Sequence, residues 1–168
     1  MEVSTASSKK GIGEMTKPLE RDLGPKEIAA LSSAYIDEGV KRDAWEILEA
    51  RVSGPWIKAR VRMTSFYVSP TDSGGFHLTI FSTQEILAQL ANIYLQLAKG
   101  YETKSSETWM RECSITSRRA IRDHENIRAE INIFGLKRLG ESLAAMGEGR
   151  VYDDQGGLFT ARLKGLLR

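Results

Sequence analysis

Three side chains suited to chemistry stand close together in this chain: His77, Ser82 and Glu85. An imidazole is largely neutral near pH 7 and accepts a proton, and a carboxylate placed beside the same group does likewise. The segment STQEILAQLANIYLQLAKG that contains Ser82 and Glu85 has the composition of a helix. The amides at a helix N-terminus are donors for negative charge developing on a carbonyl oxygen. Together the residues suit attack of an activated nucleophile on a polarised acyl carbonyl. Plainer readings stand beside this one. Ser82 and Glu85, three residues apart, form a capping box, and a single histidine ahead of a helix is commonly structural. No Gly-x-Ser-x-Gly elbow surrounds Ser82, so it reads as a cap before it reads as a nucleophile.

The elements that position these residues follow from periodicity and end signals. Ser82 and Glu85 open, and Lys99-Gly100 closes, a helix running from Phe81 to about Gly100. Ile86, Leu87, Leu90, Ile93 and Leu95 cover most of its circumference, as in a buried helix. Glu85, Gln89, Asn92, Gln96 and Lys99 instead step by fours and threes along one line, which leaves a single polar edge for a symmetry mate, a ligand channel or nearby backbone. Upstream, Ile57, Ala59, Val61 and Met63 alternate with Lys58, Arg60 and Arg62, predicting a half-buried strand. SPTDSGG then turns the chain into FHLTIF. Downstream, the runs around Trp109 to Ile115 and Ile127 to Ile133 alternate as strands, and 149–152 and 158–166 flank a hairpin turn at Asp153-Asp154-Gln155-Gly156-Gly157. Residues 136–146 fit either a strand end with a short helical turn or a bulged connection. Residues 24–52 carry apolar side chains at helical spacing (Ile28, Leu31, Tyr35, then Trp45 and Leu48), with Pro25 near the start and Gly39 as a break, and predict one or two short helices. Residues 1–23 read as a flexible tail and 24–168 as a single domain.

An early strand, a long apolar helix and a run of antiparallel strands, with neither β-α-β alternation nor repeats, resembles the hot-dog fold. This α+β architecture wraps an antiparallel sheet around one long central helix. The segments Phe81-Ser82-Thr83-Gln84-Glu85, SRRAIRDHENIRAEINIF and YDDQGGLFTARLKGLL together resemble the FcoT-like long-chain fatty acyl-CoA thioesterases, over about residues 56 to 167. The resemblance implies hydrolysis of an acyl group carried on CoA or on an acyl-carrier protein, with the pantetheine-linked substrate itself and no further cofactor, by a homodimer or a hot-dog heterodimer. The family's Gly-His-Phe-Asn is Thr79-Ile80-Phe81-Ser82 here, so Ser82 stands at the active-site Asn. The family's active-site Tyr falls near Gly74, with His77 or Tyr67 as neighbouring substitutes. Glu85-Ile86-Leu87-Ala88-Gln89 is also similar to the Glu-x-x-Ala-Gln of hot-dog acyl-carrier-protein dehydratases, whose Gly-His-Phe-Pro-Gly is absent. Hydrolysis is thus the first expectation. Dehydration, hydration or conjugate addition at an enoyl thioester is the second, and a catalytically silent subunit or acyl-binding partner the third. Arg118, Arg119 and Arg122 are candidates for the phosphates of CoA or of a pantetheine arm, or else part of a solvated strand face.

Composition removes several other classes. A net charge of +2, from 24 basic and 22 acidic side chains, makes no field that would attract nucleic acid or a membrane surface. Cys113 is the only cysteine, which excludes an intrachain disulfide and a thiolate zinc site, and two histidines do not suggest a histidine-rich metal site. Cys113 is expected as a buried small hydrophobe and His124 as a solvated turn residue. Met1 to Gly13 lacks the apolar core of a secretory signal, and no stretch approaches the roughly 18 apolar residues of a membrane span, so a cytoplasmic protein is expected.

Overall fold

The computed structural model describes residues 36–37, 40–41 and 43–168. The expected tail over 1–23, the helical spacing of Ile28, Leu31 and Tyr35, and the break at Gly39 lie outside the described residues. β1 (Ile36–Asp37) and β2 (Val40–Lys41) pair as a short antiparallel ladder. Then follow β3 (Ala44–Ser53), β4 (Trp56–Ser65), the helix α1 (Ile80–Ala98), β5 (Thr108–Arg119), β6 (Ile127–Leu139), β7 (Ser142–Tyr152) and β8 (Leu158–Leu167). The last six strands form one antiparallel sheet in the order β3-β4-β6-β7-β8-β5.

Period-two alternation sends Ile57, Val61, Ile127, Ile131 and Val151 to one face, where they are fully buried. α1 lies on that face through Ile86, Leu87, Leu90 and Leu95. Its approach to β7 depends on Gly149, since a β-carbon there would stand 3.1 Å from a Leu87 methyl. The helix ends as the sequence predicts. Gly100 takes φ +83°, its N–H bonds Leu97 O, and Tyr101 N–H bonds Gln96 O, the paired bonds of a Schellman motif.

Four expectations are corrected. Residues 44–53 form β3, not a helix. β3 bulges between Ile47 and Glu49, so Leu48 is an extra residue, and the cross-strand positions Trp45, Ile47, Ala50 and Val52 lose strict alternation and mimic helical spacing. The helix starts earlier than the capping-box rule places it: Thr79 is the N-cap and Ser82 lies inside the first turn. Of the two forms expected for residues 136–146 the helical turn is the one corrected: they form the hairpin of β6 and β7, bulged between Phe134 and Lys137, in keeping with a bulged connection. Finally, the open side of α1 is wider than one polar line. Phe81 and Leu97 are 56% and 50% exposed, while Gln96, on the predicted polar edge, is buried. Its amide donates to Ser106 O at 2.7 Å and to Asn92 Oδ1 at 3.1 Å, and its carbonyl accepts the Ser105 N–H at 3.2 Å, so it anchors the segment that follows the helix.

Candidate active site

The first turn of α1 and the start of β3 make one polar cluster. Thr79 has extended backbone (φ −83°, ψ 158°), and its Oγ1 accepts the Ser82 N–H at 3.1 Å. Ser82, fully buried, donates its hydroxyl to Asp43 Oδ2 at 2.8 Å. Asp43 places a carboxylate at the helix N-terminus, where the macrodipole favours negative charge. One turn further on, Glu85 Oε2 accepts the Trp45 indole N–H at 3.3 Å. Two carboxylates thus flank a buried hydroxyl at the end of α1 where backbone N–H groups point outward.

A second cluster sits on the segment that enters the helix. His77 Nδ1 lies 2.6 Å from Asp72 Oδ2. Asp72 also accepts the Gly74 N–H at 2.9 Å and the Arg122 guanidinium at 3.0 and 3.1 Å. These partners, Arg122 foremost, hold its carboxyl down at about 2. Arg122 further donates to Gly75 O and Phe76 O at 3.3 and 3.2 Å. Gly74 has to be glycine for this, because a β-carbon would fall on the guanidinium. Tyr67 lies half-buried in the same connection between β4 and α1.

The arginines expected to bind phosphate are dispersed in role. Arg122 is committed to Asp72, Arg118 lines a groove on the outer sheet face with Trp56 and Arg162, and Arg119 lies beside Gly156 of the β7–β8 turn. His124, expected as a solvated turn residue, lies at a bend with its side chain 40% exposed and also packs its ring on Phe66 and Phe76 at centroid distances of 4.8 and 5.8 Å. Its Nδ1 is 3.1 Å from Glu125 Oε1 without hydrogen-bond geometry. Cys113 is half-buried, and desolvation raises its thiol pKa, which disfavours the reactive thiolate. Among the described residues no group of three His, Cys, Asp or Glu side chains is placed to hold a metal, and no helix is long and apolar enough to cross a membrane.

Between α1 and the sheet is a cleft of about 190 Å³. Ala88, Ala91 and Leu95 form its helix side and Met110, Ala145, Gly147 and Leu163 its sheet side, with Gln89 and Asn92 along the rim. Small residues leave this space unfilled. Gln84 donates to Met110 Sδ at 3.8 Å, one turn ahead of Ala88, the first helix residue that lines the cleft. The charges at its mouth are paired among themselves: Lys104 with Glu107 at 2.8 Å and Lys164 with Glu112 at 2.7 Å.

Asp43, Trp45, Asp72 and Thr79 were not singled out by sequence reasoning. Thr79 did carry a signal, since Thr79-x-x-Ser82 competes with Ser82-x-x-Glu85 as a cap. Asp43 reaches Ser82 across 39 positions and Asp72 reaches Arg122 across 50, and no local pattern encodes either.

No known family profile matches this chain. No curated protein matches it either. Solved structures do. The thioesterase candidate YhdA from Lactococcus lactis superposes with a TM-score of 0.51 at 7% identity, over 74% of this chain and 90% of its own. A conserved protein from Pseudomonas aeruginosa gives 0.49 at 11% identity, over 74% and 89%. The BH2602 protein from Bacillus halodurans, solved with CoA, gives 0.44 at 15% identity, over 72% and 74%. At such identity the Lactococcus match speaks to fold alone. The architecture of this chain, six antiparallel strands carrying one helix on a single face, is the fold it shares with that thioesterase candidate.

Proposed function

We propose that this chain hydrolyses acyl thioesters, with the thioester carbonyl at the first turn of α1 and the acyl group in the adjoining cleft. The observation that carries this reading is that both features lie along α1, about one turn apart. A cleft between helix and sheet, lined on the helix side from Ala88 to Leu95, lies one turn along α1 from the turn that bears Ser82 and Glu85. A cleft with apolar walls and polar groups along its rim is a common form of small-ligand site. The helix N-terminus stabilises the oxyanion formed on attack, and His77 or Glu85 handles the proton. The name of the Lactococcus structure points to the same chemistry.

The expected substrate is an acyl group on CoA or on a carrier-protein pantetheine arm. The cleft's 190 Å³ is of the order of the ~150 Å³ cavity that takes up benzene, which favours a compact acyl group over the long chain implied by the sequence resemblance. A homodimer is part of this proposal, since β5 ends the sheet with one backbone edge unpaired among the described residues. The test is release of free CoA thiol from acetyl-, hexanoyl-, benzoyl- and palmitoyl-CoA. Hexanoyl or benzoyl turnover is expected to exceed the others, and Ala91→Phe is expected to remove that preference. Turnover of none of them, or loss of enoyl absorbance from crotonyl-CoA without thiol release, would sink the hydrolysis reading.

A further inference from the structure

We propose that Asp72 and Arg122 are positioning residues that hold His77 as a proton acceptor at Nε2, making the 72–77 loop a built general-base unit rather than a loop tether. The proposal rests on the hydrolysis reading for the identity of the reaction, but its geometry stands apart from it. His77 Nδ1 and Asp72 Oδ2 are 2.6 Å apart, a charge-assisted contact. The Asp72 carboxylate accepts from Arg122 and Gly74 at the same time and is held ionised, so it has only lone pairs to offer. The proton between the two groups therefore belongs to Nδ1, and in the neutral ring Nε2 is left as the acceptor. Nε2 is on the far side of the ring from Nδ1, and the side chain is 43% exposed.

The support for this pair runs inward rather than outward. Arg122 is fixed by Asp72 and by the carbonyls of Gly75 and Phe76. Its own N–H is bonded at 2.8 Å by Asp153, which also accepts the N–H groups of Asp123, Gln155 and Gly157. The Leu78 N–H adds a bond to Ile121 O at 3.0 Å. An acid that orients an imidazole, itself oriented by a cation anchored in the β7–β8 turn, resembles the general logic of a base with a fixed tautomer. A simple tether for a surface loop would not depend on which ring nitrogen carries the proton. One residue, Leu78, separates His77 from Thr79, which places the His77 Cα within about 7 Å of the N-cap Cα.

In the reaction, Nε2 takes a proton from water as the water oxygen bonds to the thioester carbon, and the carbonyl π pair moves onto oxygen. When that pair returns, the carbon–sulfur bond breaks. The proton on Nε2 passes to the departing thiolate, leaving a carboxylic acid, a free thiol and a neutral imidazole. Nothing is oxidised or reduced, and no co-reactant beyond water enters.

The test uses the full chain labelled with nitrogen-15 and two readouts that need no substrate. At about pH 8, where an unperturbed imidazole is neutral, the His77 nitrogens are expected to report the Nδ1–H tautomer. Diethyl pyrocarbonate, followed by mass spectrometry, is expected to modify His77 faster than His124, and Asp72→Asn to slow it. An imidazolium or an Nε2–H tautomer at that pH would overturn the assignment. The third readout is hexanoyl-CoA turnover. His77→Gln, which leaves the Asp72–Arg122 bonds in place, is expected to lower kcat about 10²- to 10⁴-fold with KM little changed, and Asp72→Glu to recover part of the loss seen with Asp72→Asn. Wild-type rates in His77→Gln would overturn the role of His77 while leaving hydrolysis intact. Absence of turnover in the wild type would instead overturn the hydrolysis reading, with the tautomer and modification rates still deciding the pair.

Discussion

Thr79 rather than Ser82 is the N-cap of α1, accepting the Ser82 N–H within the first turn, and this sets the energetics of the site's most constrained turn. Loss of an N-cap hydroxyl costs about 1 kcal/mol. Thr79→Ala is therefore expected to lower stability by about that amount in urea denaturation, while Glu85→Gln, which keeps an oxygen to accept the Trp45 indole N–H, stays within roughly 0.5 kcal/mol. A Thr79→Ala loss well below about 1 kcal/mol would deny Thr79 the capping role. Asp72 makes a separate prediction about acid. Its carboxyl is depressed in the folded chain to about 2, chiefly by Arg122, against an ordinary value near 3.9. A group depressed by folding stabilises above its unfolded value and loses that contribution as pH falls through the folded one. Between about pH 4 and 2 the wild type is thus expected to lose stability more steeply than Asp72→Asn, read as the difference in melting temperature between the two at each pH.

At the scale of elements, α1 does two jobs with two faces. Ile86, Leu87 and Leu90 fasten it to the sheet, whereas Ala88 and Ala91 hold the cleft open by being small. Its far end is held by Gln96, whose three hydrogen bonds satisfy backbone groups of Ser105 and Ser106 and the side chain of Asn92. Gln96→Leu would keep the bulk and strand those groups, at a cost of about 1–3 kcal/mol. Hydrogen exchange should then show faster opening of residues 99–107 than of the α1 core, and equal protection in the two proteins would deny Gln96 that anchoring role.

For the molecule as a whole, the face of the sheet away from α1 is a lattice of ion pairs. Arg62 meets Glu46, Arg162 meets Glu148 at 3.1 Å, Arg128 meets Asp154 at 3.0 Å, and Glu130 lies between Arg150 and Lys58. Most of these pairs are exposed and contribute little individually. Glu130 differs, being only 4% exposed. Glu130→Ala leaves two cations without their shared carboxylate and is expected to cost about 1–2 kcal/mol, less than a fully buried pair because both cations reach solvent. The loss should shrink in high salt, and a salt-independent loss would point to packing instead.

Local rules were enough for what is locally caused. The alternation of β4 and β6, the apolar face of α1 and its end at Gly100 are consequences of period and backbone freedom within a few residues, and the structure contains them. His77, Ser82 and Glu85 could be nominated because residue type alone limits which side chains move protons or cap helices. The identity of β3 was not available in this way, since a bulge at Leu48 erased its period and only pairing with β4 restores the register. The partners that give the candidates their chemistry were likewise hidden: Asp43 for Ser82, Trp45 for Glu85, and Arg122 behind Asp72 and His77. The Asp43, Trp45 and Arg122 contacts join residues 39 or more positions apart, across elements that meet only when α1 settles on the sheet. A sequence determines which groups are present and which helices and strands its periods favour, but hydrogen bonds and charge pairs act over a few ångströms, and that proximity is decided by tertiary packing.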